Sequence, residues 1–346
     1  MYVEDFRKTL KLSGSGELKG LSSSGGMSAS GSFSMEKDED SSSDSLNESP
    51  KHNLTLKQRK EAKEKIRKVS IVEKKTEVNF KYTFKPETWE CANVSWAEMK
   101  GVRGTQEDVI IIQRNYKATK GYSIYAVFDG HRGSEASEVA AILFARFFDS
   151  FKKKSKNIRT ALKQSLSKLH KVISKDLLLD SGSTVAVAVV IDNNVYCANL
   201  GDARITLARK NGLALRLTHD HKGSDMRERK RIRNLGGYVS EKGRVMGDVA
   251  VARAIGDSIY APYVSTDPFD SSEQEKDDPF LLYQGDFLII ACDGLWDEVS
   301  DLEAASFVQR YLQNGGERVT AAAALRDYAF CLGSRDNISV ILVFHE

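Results

Sequence analysis

The sequence predicts an α+β protein in which antiparallel strands carry helices on their faces, preceded by a tail with no core of its own. Three observations predict it. Short β-branched runs are separated by hairpin-type turn residues, and two long stretches repeat apolar residues every three or four positions. Residues 11–50 hold 14 Ser and 6 Gly with few large apolar side chains, too little buried surface to offset the entropy of ordering.

Of the 346 residues, 41% are hydrophobic and 29% charged, ordinary for a folded domain averaged with a polar tail. That excludes a collagenous, a disulfide-dense or a wholly disordered chain. No apolar run approaches the roughly 18 to 20 residues of a membrane-spanning helix, and Met1 to Leu12 lacks a signal-peptide core. The expectation is a protein of the cytoplasm, with the nucleus as an alternative. Cys91, Cys197, Cys292 and Cys331 are scattered without a CxxC pair, so they read as reduced, packed thiols. A net charge of +3, from 51 basic and 48 acidic residues, creates no global field that calls for nucleic acid or an anionic membrane.

Along the chain, residues 1–75 read as a disordered Ser/Gly-rich tail, with an acidic stretch from Glu36 to Asp44, followed by a basic linker. Residues 57–68 (KQRKEAKEKIRK) carry seven basic and two acidic side chains, which suits a solvated helix or linker and leaves a nuclear-localisation or anionic-surface role open. The folded domain begins near residues 75 to 85 and is set at 76–346. Its strands are read at Ser123–Asp129, Thr184–Ile191, Val195–Leu200, Arg204–Arg209, Leu213–Leu217, Asp286–Asp293 and Asn337–Phe344. Asp192-Asn193-Asn194 and Lys210-Asn211-Gly212 have hairpin-turn composition, so the strands they join pair antiparallel. One amphipathic helix carries Ala136, Val139, Ala140, Leu143, Phe147 and Phe151; a second carries Ile158, Leu162, Leu166, Leu169 and Ile173. Later helices cover Asp225–Leu235, ended by Gly236-Gly237, and Asp301–Gln313, where Ser300 and Glu303 form a capping-box pattern.

The chemistry is carried by aspartates. Asp129 ends an apolar strand, Asp293 ends another and Asp336 immediately precedes a third. A turn reading serves for each alone, since 129–130 and 293–294 are Asp-Gly dipeptides. Three carboxylates at buried strand ends, with Glu107, Asp108, Asp202 and Asp297 also in the sequence, are costly unless a cation neutralises them. An all-oxygen donor set selects hard cations such as Mg²⁺ or Mn²⁺.

In order along the chain stand Arg103-Gly-Thr-Gln-Glu107-Asp108, Asp129-Gly130-His131-Arg-Gly133, Gly182-Ser-Thr184, Gly201-Asp202-Ala-Arg204, Asp220-His221-Lys222, Arg253-Ala-Ile-Gly256-Asp257, Asp293-Gly-Leu-Trp-Asp297 and Ser334-Arg335-Asp336-Asn337. This succession, over roughly residues 90–345, resembles the metal-dependent protein phosphatase family, type 2C, whose members hydrolyse phosphoserine and phosphothreonine esters. The resemblance implies an αββα sandwich of two antiparallel sheets flanked by helices, with a dinuclear Mg²⁺ or Mn²⁺ site at one end. It implies that Asp129 bridges two ions, the Gly130 carbonyl binds one, and Asp293 and Asp336 bind the other. Glu107 and Asp108 then act through waters, Asp202 and Asp297 help hold a weaker third ion, Arg103 binds phosphate and His131 is the general acid. The partners implied are phosphoprotein substrates, with no nucleic acid, and the chain is expected to be a monomer.

The physical logic stands beside the resemblance. A phosphate monoester dianion repels nucleophiles and has a poor alkoxide leaving group, and two cations about 3.5 to 4 Å apart answer both problems by orienting its oxygens and acidifying a water. An arginine offers a bidentate fork and a protonated histidine a proton for the leaving oxygen. The cysteines lack a phosphate cradle, which disfavours a cysteine nucleophile. GSGELKG at residues 14–20 is not a phosphate loop, because no strand precedes it. His219 and His221, around Asp220, read as loop residues rather than metal ligands. A catalytically silent phosphatase-like scaffold is the rival reading, and membership of a larger multidomain protein a third. Two departures from the family pattern stand out. Arg132 replaces a glycine and is expected to point outward, and the short run from Asp257 to Thr266-Asp-Pro268 suggests a short flap beside the cleft.

Overall fold

The computed structural model describes residues 93–116, 121–155, 157–177, 179–270 and 279–345. The tail and linker readings for residues 1–75, and the domain's start at 76, lie outside the described residues.

In chain order the elements are β1 (Val94–Met99), β2 (Val109–Tyr116), β3 (Tyr122–Phe128), β4 (Gly130–His131), α1 (Glu135–Lys154) and α2 (Ile158–Lys171). Then come β5 (Gly182–Ser183), β6 (Val185–Ile191), β7 (Asn194–Leu200), β8 (Arg204–Ala208), β9 (Ala214–Arg216) and α3 (Met226–Asn234). The remainder is β10 (Ile255–Gly256), β11 (Phe269–Asp270), β12 (Phe280–Leu281), β13 (Phe287–Ala291), α4 (Asp293–Trp296), α5 (Asp301–Gln313), α6 (Arg318–Leu332) and β14 (Ile338–Phe344).

One sheet has the order β1-β14-β13-β8-β9; the other runs β11-β7-β6-β3-β2, with β12 also on β7, and β10-β5-β4 form a small third sheet. All pairings between these strands are antiparallel. Strand alternation explains the layering. On β6, Val185, Val187 and Val189 join the core under α1 and α2, whereas Ala186 and Ala188 join the core between the sheets. On β13, Phe287, Ile289 and Ala291 face α4, α5 and α6 while Leu288 and Ile290 face the other sheet. Both faces are covered, so these strands read as unbroken apolar runs, and the result is an αββα sandwich. Among the described residues no helix is long and apolar enough to cross a membrane.

The seven strands expected from sequence appear with ends moved by one or two residues, and both turns join antiparallel neighbours, with Asp192 and Gly212 at positive φ. The elements expected from sequence include neither β1, β2 and α6 nor the short elements β4, β5, β10, β11, β12 and α4. On α6 the buried side chains are Ala321, Ala322, Leu325 and Ala329, small residues that allow close packing but leave a weak periodic signal. The stripe on α1 is rotated from expectation: Phe144 and Phe148 are fully buried, and Phe147 and Phe151 only partly. The capping box at Ser300 forms by half. Its hydroxyl accepts from Glu303 N at 3.3 Å, but the Glu303 carboxylate instead accepts from Tyr328 Oη at 2.5 Å, tying α5 to α6.

Because Ile290 is fully buried between the two sheets, Ile290→Ala should cost about 2–5 kcal/mol in a urea titration with the m-value retained. A loss below about 0.5 kcal/mol would contradict a tightly packed inter-sheet core.

Candidate active site

The chain exits from both sheets at one end of the sandwich, and those exits carry the acids. Asp129 follows β3, Asp202 lies in the turn after β7, Asp293 opens α4 just after β13, and Asp336 stands two residues before β14. Carboxylate oxygens of Asp129, Asp202 and Asp293 all lie within 4.8 Å of one another. With Arg103, Glu107, Gly130, His131 and Asp336 they line a cleft of about 250 Å³. Asp297 lines an adjoining depression of about 480 Å³ that shares Arg103, Asp293 and Asp336 with the cleft.

Both Asp-Gly glycines are there for space, where the turn reading would have needed conformational freedom. A Cβ on Gly130 would sit 2.4 Å from the Glu107 carbonyl oxygen, and one on Gly294 2.0 Å from the Asn337 carbonyl oxygen. These contacts bring the loop of residues 100–108, β4, α4 and the start of β14 against one another. Asn337 completes the joint: its Oδ1 accepts from Glu107 N at 2.8 Å, and its Nδ2 donates to the carbonyls of Lys100 at 2.9 Å and Thr105 at 3.0 Å.

Electrostatically the cluster is under load. Burial, followed by the charges of Asp293, Asp108 and Asp202, pushes the Asp129 carboxyl well above the usual range. Burial, then Asp202, Asp297 and Asp336, does the same to Asp293. Asp202 rises to about 6 through burial, although Lys222 pulls against the rise. Asp108 rises to about 6, again chiefly through burial, while accepting from Ser339 Oγ at 2.7 Å. The Lys222 ammonium lies 3.7 Å from Asp202 and on Asp297, and Arg103 grips Asp336. Among the described residues no basic side chain forms an ion pair with Asp129 or Asp293. Thr184 Oγ1, which also lines the cleft, is buried without a partner. The all-oxygen, anionic cluster of Asp129, Asp202 and Asp293 fits hard divalent cations.

The other expected residues fall as follows. Glu107 turns its carboxylate to Thr105 Oγ1 at 2.8 Å and to Gly133 N at 3.1 Å, bracing the turn after His131. His131 Nε2 is 2.7 Å from Oδ2 of Asp257, whose side chain is wholly buried. Burial opposes the charged imidazole, but the Asp257 charge and hydrogen bond outweigh it and raise the His131 pKa. Asp257 belongs to the Arg253–Asp257 motif, but its role shows only in this tertiary contact. The role of Lys222 likewise shows only in its tertiary contacts.

Several expectations need correction. Arg132, at φ 59°, does not point freely outward: it donates to Asp257 Oδ1 at 2.6 Å and to the Asp180 carbonyl at 2.7 Å, and lies over the Tyr260 ring at 4.8 Å. The buried Asp257 needs a second donor, and the positive φ turns Arg132 toward it. The segment beside the cleft also comes before Asp257 rather than after it. Residues 222–265 form a lobe with its own core, including Ile232, Val245, Val249 and Val264, and Arg244 and residues 248–251 of it line the cleft. Glu228 pins this lobe by accepting from Arg253 and Arg231. Of the cysteines, Cys197 and Cys292 are buried thiols as expected, but Cys331 is exposed. Burial and the adjacent carboxylates push the Cys292 thiol far up, so it is no nucleophile. His221 is buried against the Gly201 carbonyl, apart from the carboxylate cluster, with its pKa driven to about 2 first by burial.

The family profile described as protein phosphatase 2C matches residues 92–338. The chain belongs to the protein phosphatase 2C family. It is 36% identical over 257 residues to "Probable protein phosphatase 2C 7" of Oryza sativa subsp. japonica, covering 72% of this chain and 64% of that protein. It is 33% identical over 261 residues to "Protein phosphatase 2C homolog 1" of Saccharomyces cerevisiae, covering 70% of this chain and 89% of the relative. Among solved structures, a phosphatase from a pathogenic strain of Toxoplasma gondii superposes with a TM-score of 0.63 at 26% identity, covering 73% of this chain and 92% of that one. The chain thus spans just under two thirds of the rice relative and most of the yeast one. Protein phosphatases 2C are metal-dependent, and the acidic cluster is the place in this member where a metal fits.

The raised carboxyls give a test that needs no substrate. A carboxyl at about 6 when folded and near 3.8 when unfolded keeps its proton longer in the folded state, so stability falls as pH rises through that interval and the full penalty stands above 6. In EDTA, Tm should therefore drop between about pH 4 and about 6, and millimolar Mn²⁺ should restore it more at pH 7 than at pH 4. A Tm indifferent to Mn²⁺ at every pH would sink the metal site.

Proposed function

We propose that the chain hydrolyses phosphoserine and phosphothreonine monoesters of proteins with two bound Mg²⁺ or Mn²⁺ ions. The observation that carries this reading is the convergence in one cleft of a cation-deficient carboxylate cluster, an exposed guanidinium and a histidine braced by a buried carboxylate. Asp129, Asp293, Asp336 and the Gly130 carbonyl hold the two ions; Glu107 and Asp108 act through water; Asp202 and Asp297 serve a weaker third ion. Bound ions supply charge neutralisation and acidify water so that a nucleophile exists at neutral pH.

The remaining work falls to the chain's own side chains. Arg103 lies at the rim with its guanidinium on Asp336, where a phosphate dianion competes for the same fork. His131 supplies the proton that the departing seryl or threonyl oxygen needs, and Asp257 orients the ring and favours its charged form. Arg132 shares Asp257 with His131 and limits how far that carboxylate can move. Arg103, Asp129, Asp293 and Asp336, whose loss would mark a silent scaffold, all line the cleft, which favours turnover.

Asp293→Asn keeps the shape of the side chain but removes a ligand charge, so turnover of a phosphothreonine peptide should fall at least tenfold at saturating Mn²⁺, and EDTA should abolish turnover by the unaltered protein. Full activity in EDTA would refute the proposal.

His131→Ala should slow the phosphothreonine peptide by about 10² or more, because an alkoxide needs the proton, and p-nitrophenyl phosphate much less. Comparing kcat for the two esters at saturating Mn²⁺ decides it; equal losses would rule out the acid role.

A further inference from the structure

From the exposed face of α3 we infer a docking groove for an acidic segment of the phosphoprotein substrate, an inference that rests on the phosphatase reading above. The nine-residue helix has the sequence MRERKRIRN. Its Met226, Arg227, Arg229, Lys230, Arg233 and Asn234 line a shallow groove of about 470 Å³. Arg227, Lys230 and Arg233 recur every three residues, so they are neighbours along one side of the helix.

The cations of this face are uncompensated. Glu228, the one acidic residue of the helix, is turned inward and spent on Arg253 and Arg231. Among the described residues no carboxylate forms an ion pair with Arg227, Arg229, Lys230 or Arg233, and the buried Arg229 Nε has no partner. Four cations held together without counter-charge repel one another, and an anionic ligand relieves that cost. Their local excess stands out in a chain whose total net charge is only +3.

Placement argues for the substrate as the occupant. Asp225 N donates to the Lys222 carbonyl at 3.0 Å in the turn that opens α3, while the Lys222 ammonium lies 3.7 Å from Asp202. The groove therefore starts one turn of chain from the cleft, on the lobe whose Arg244 and residues 248–251 form the cleft wall. A nine-residue helix is about 13 Å long, the span of roughly four residues of extended peptide. Met226, 77% exposed at the end nearer the cleft, adds an apolar contact for the chain passing between the two sites. A strip this short suits a peptide better than a duplex or a membrane surface.

The experiment compares two phosphothreonine peptides, one with four Asp/Glu residues beside the phosphothreonine and one with Ser/Gly there, for the full chain and for the triple variant Arg227→Gln, Lys230→Gln, Arg233→Gln. The unaltered protein should show a KM about tenfold lower for the acidic peptide with unchanged kcat, erased by 0.5 M NaCl, as about three exposed charge pairs would produce. The triple variant should lose that preference and keep the neutral-peptide kinetics; Arg227→Glu with Lys230→Glu should favour a Lys-flanked peptide instead. Equal KM for both peptides in the unaltered protein would overturn the groove while leaving the phosphatase reading intact, whereas no hydrolysis of either would overturn that reading itself. A variant that weakens binding to anionic vesicles or an oligonucleotide but leaves the acidic-peptide KM untouched would also overturn it.

Discussion

The crowding of carboxylates at one end of the sandwich is the constraint on which the rest of the structure depends. Asp129, Asp202 and Asp293 bring oxygens within 4.8 Å of one another in a poorly solvated place, and each carboxyl is pushed above its ordinary range. A chain folding for stability alone would separate them. The sheets do the opposite because their cores leave no alternative: β3, β6, β8, β13 and β14 bury both faces, and their polar exits must gather at the ends. The stability stored in the two-sheet core is what permits an unfavourable site to persist.

Around that cluster the structure distributes positive charge sparingly. Arg103 and Lys222 each hold an acid at the rim, at Asp336 and Asp297, yet neither lies at the centre of the group. Two further acids are held in place by hydrogen bonds, Asp108 by Ser339 and Glu107 by Thr105 and Gly133. The opposite wall follows similar logic. Asp257, wholly buried, is shared between His131 and Arg132, so a residue outside the family's glycine pattern becomes part of the support for the histidine. The same device recurs at Glu228, which holds the lobe together through Arg253 and Arg231 and leaves Arg227, Lys230 and Arg233 of α3 exposed.

Much of this was legible beforehand, for identifiable reasons. Strands such as β6 and β13 declare themselves through unbroken β-branched and apolar runs, and α2 through leucines at helical spacing, because burial on a regular element imposes a period on the sequence. α6 leaves little trace because it packs through alanines, and the apolar period on α1 points to Phe147 and Phe151 rather than to Phe144 and Phe148 because α1 packs against both the sheet and α2, so its buried face is broader than one stripe. The acids of the site were visible as types at strand ends, and the ordered motifs that contain them carried the family resemblance.

The sequence by itself determined the element types, the antiparallel hairpins at Asp192 and Gly212, the oxygen-only character of the acidic set and the family to which the chain belongs. Those properties depend on local composition, period and order, which a linear string records. Only the tertiary structure decided that Asp202 joins Asp129 and Asp293 while Asp297 stands in the next depression, and that Arg132 turns back onto Asp257. It also decided that the part of the lobe that lines the cleft, Arg244 and residues 248–251, precedes Asp257. These outcomes turn on which loops meet from separate parts of the chain, as at the joint of Gly294 with Asn337 and of Asn337 with the distant Glu107. Contacts between distant loops leave no periodic trace, because the packing of two sheets, rather than any local preference, brings them together.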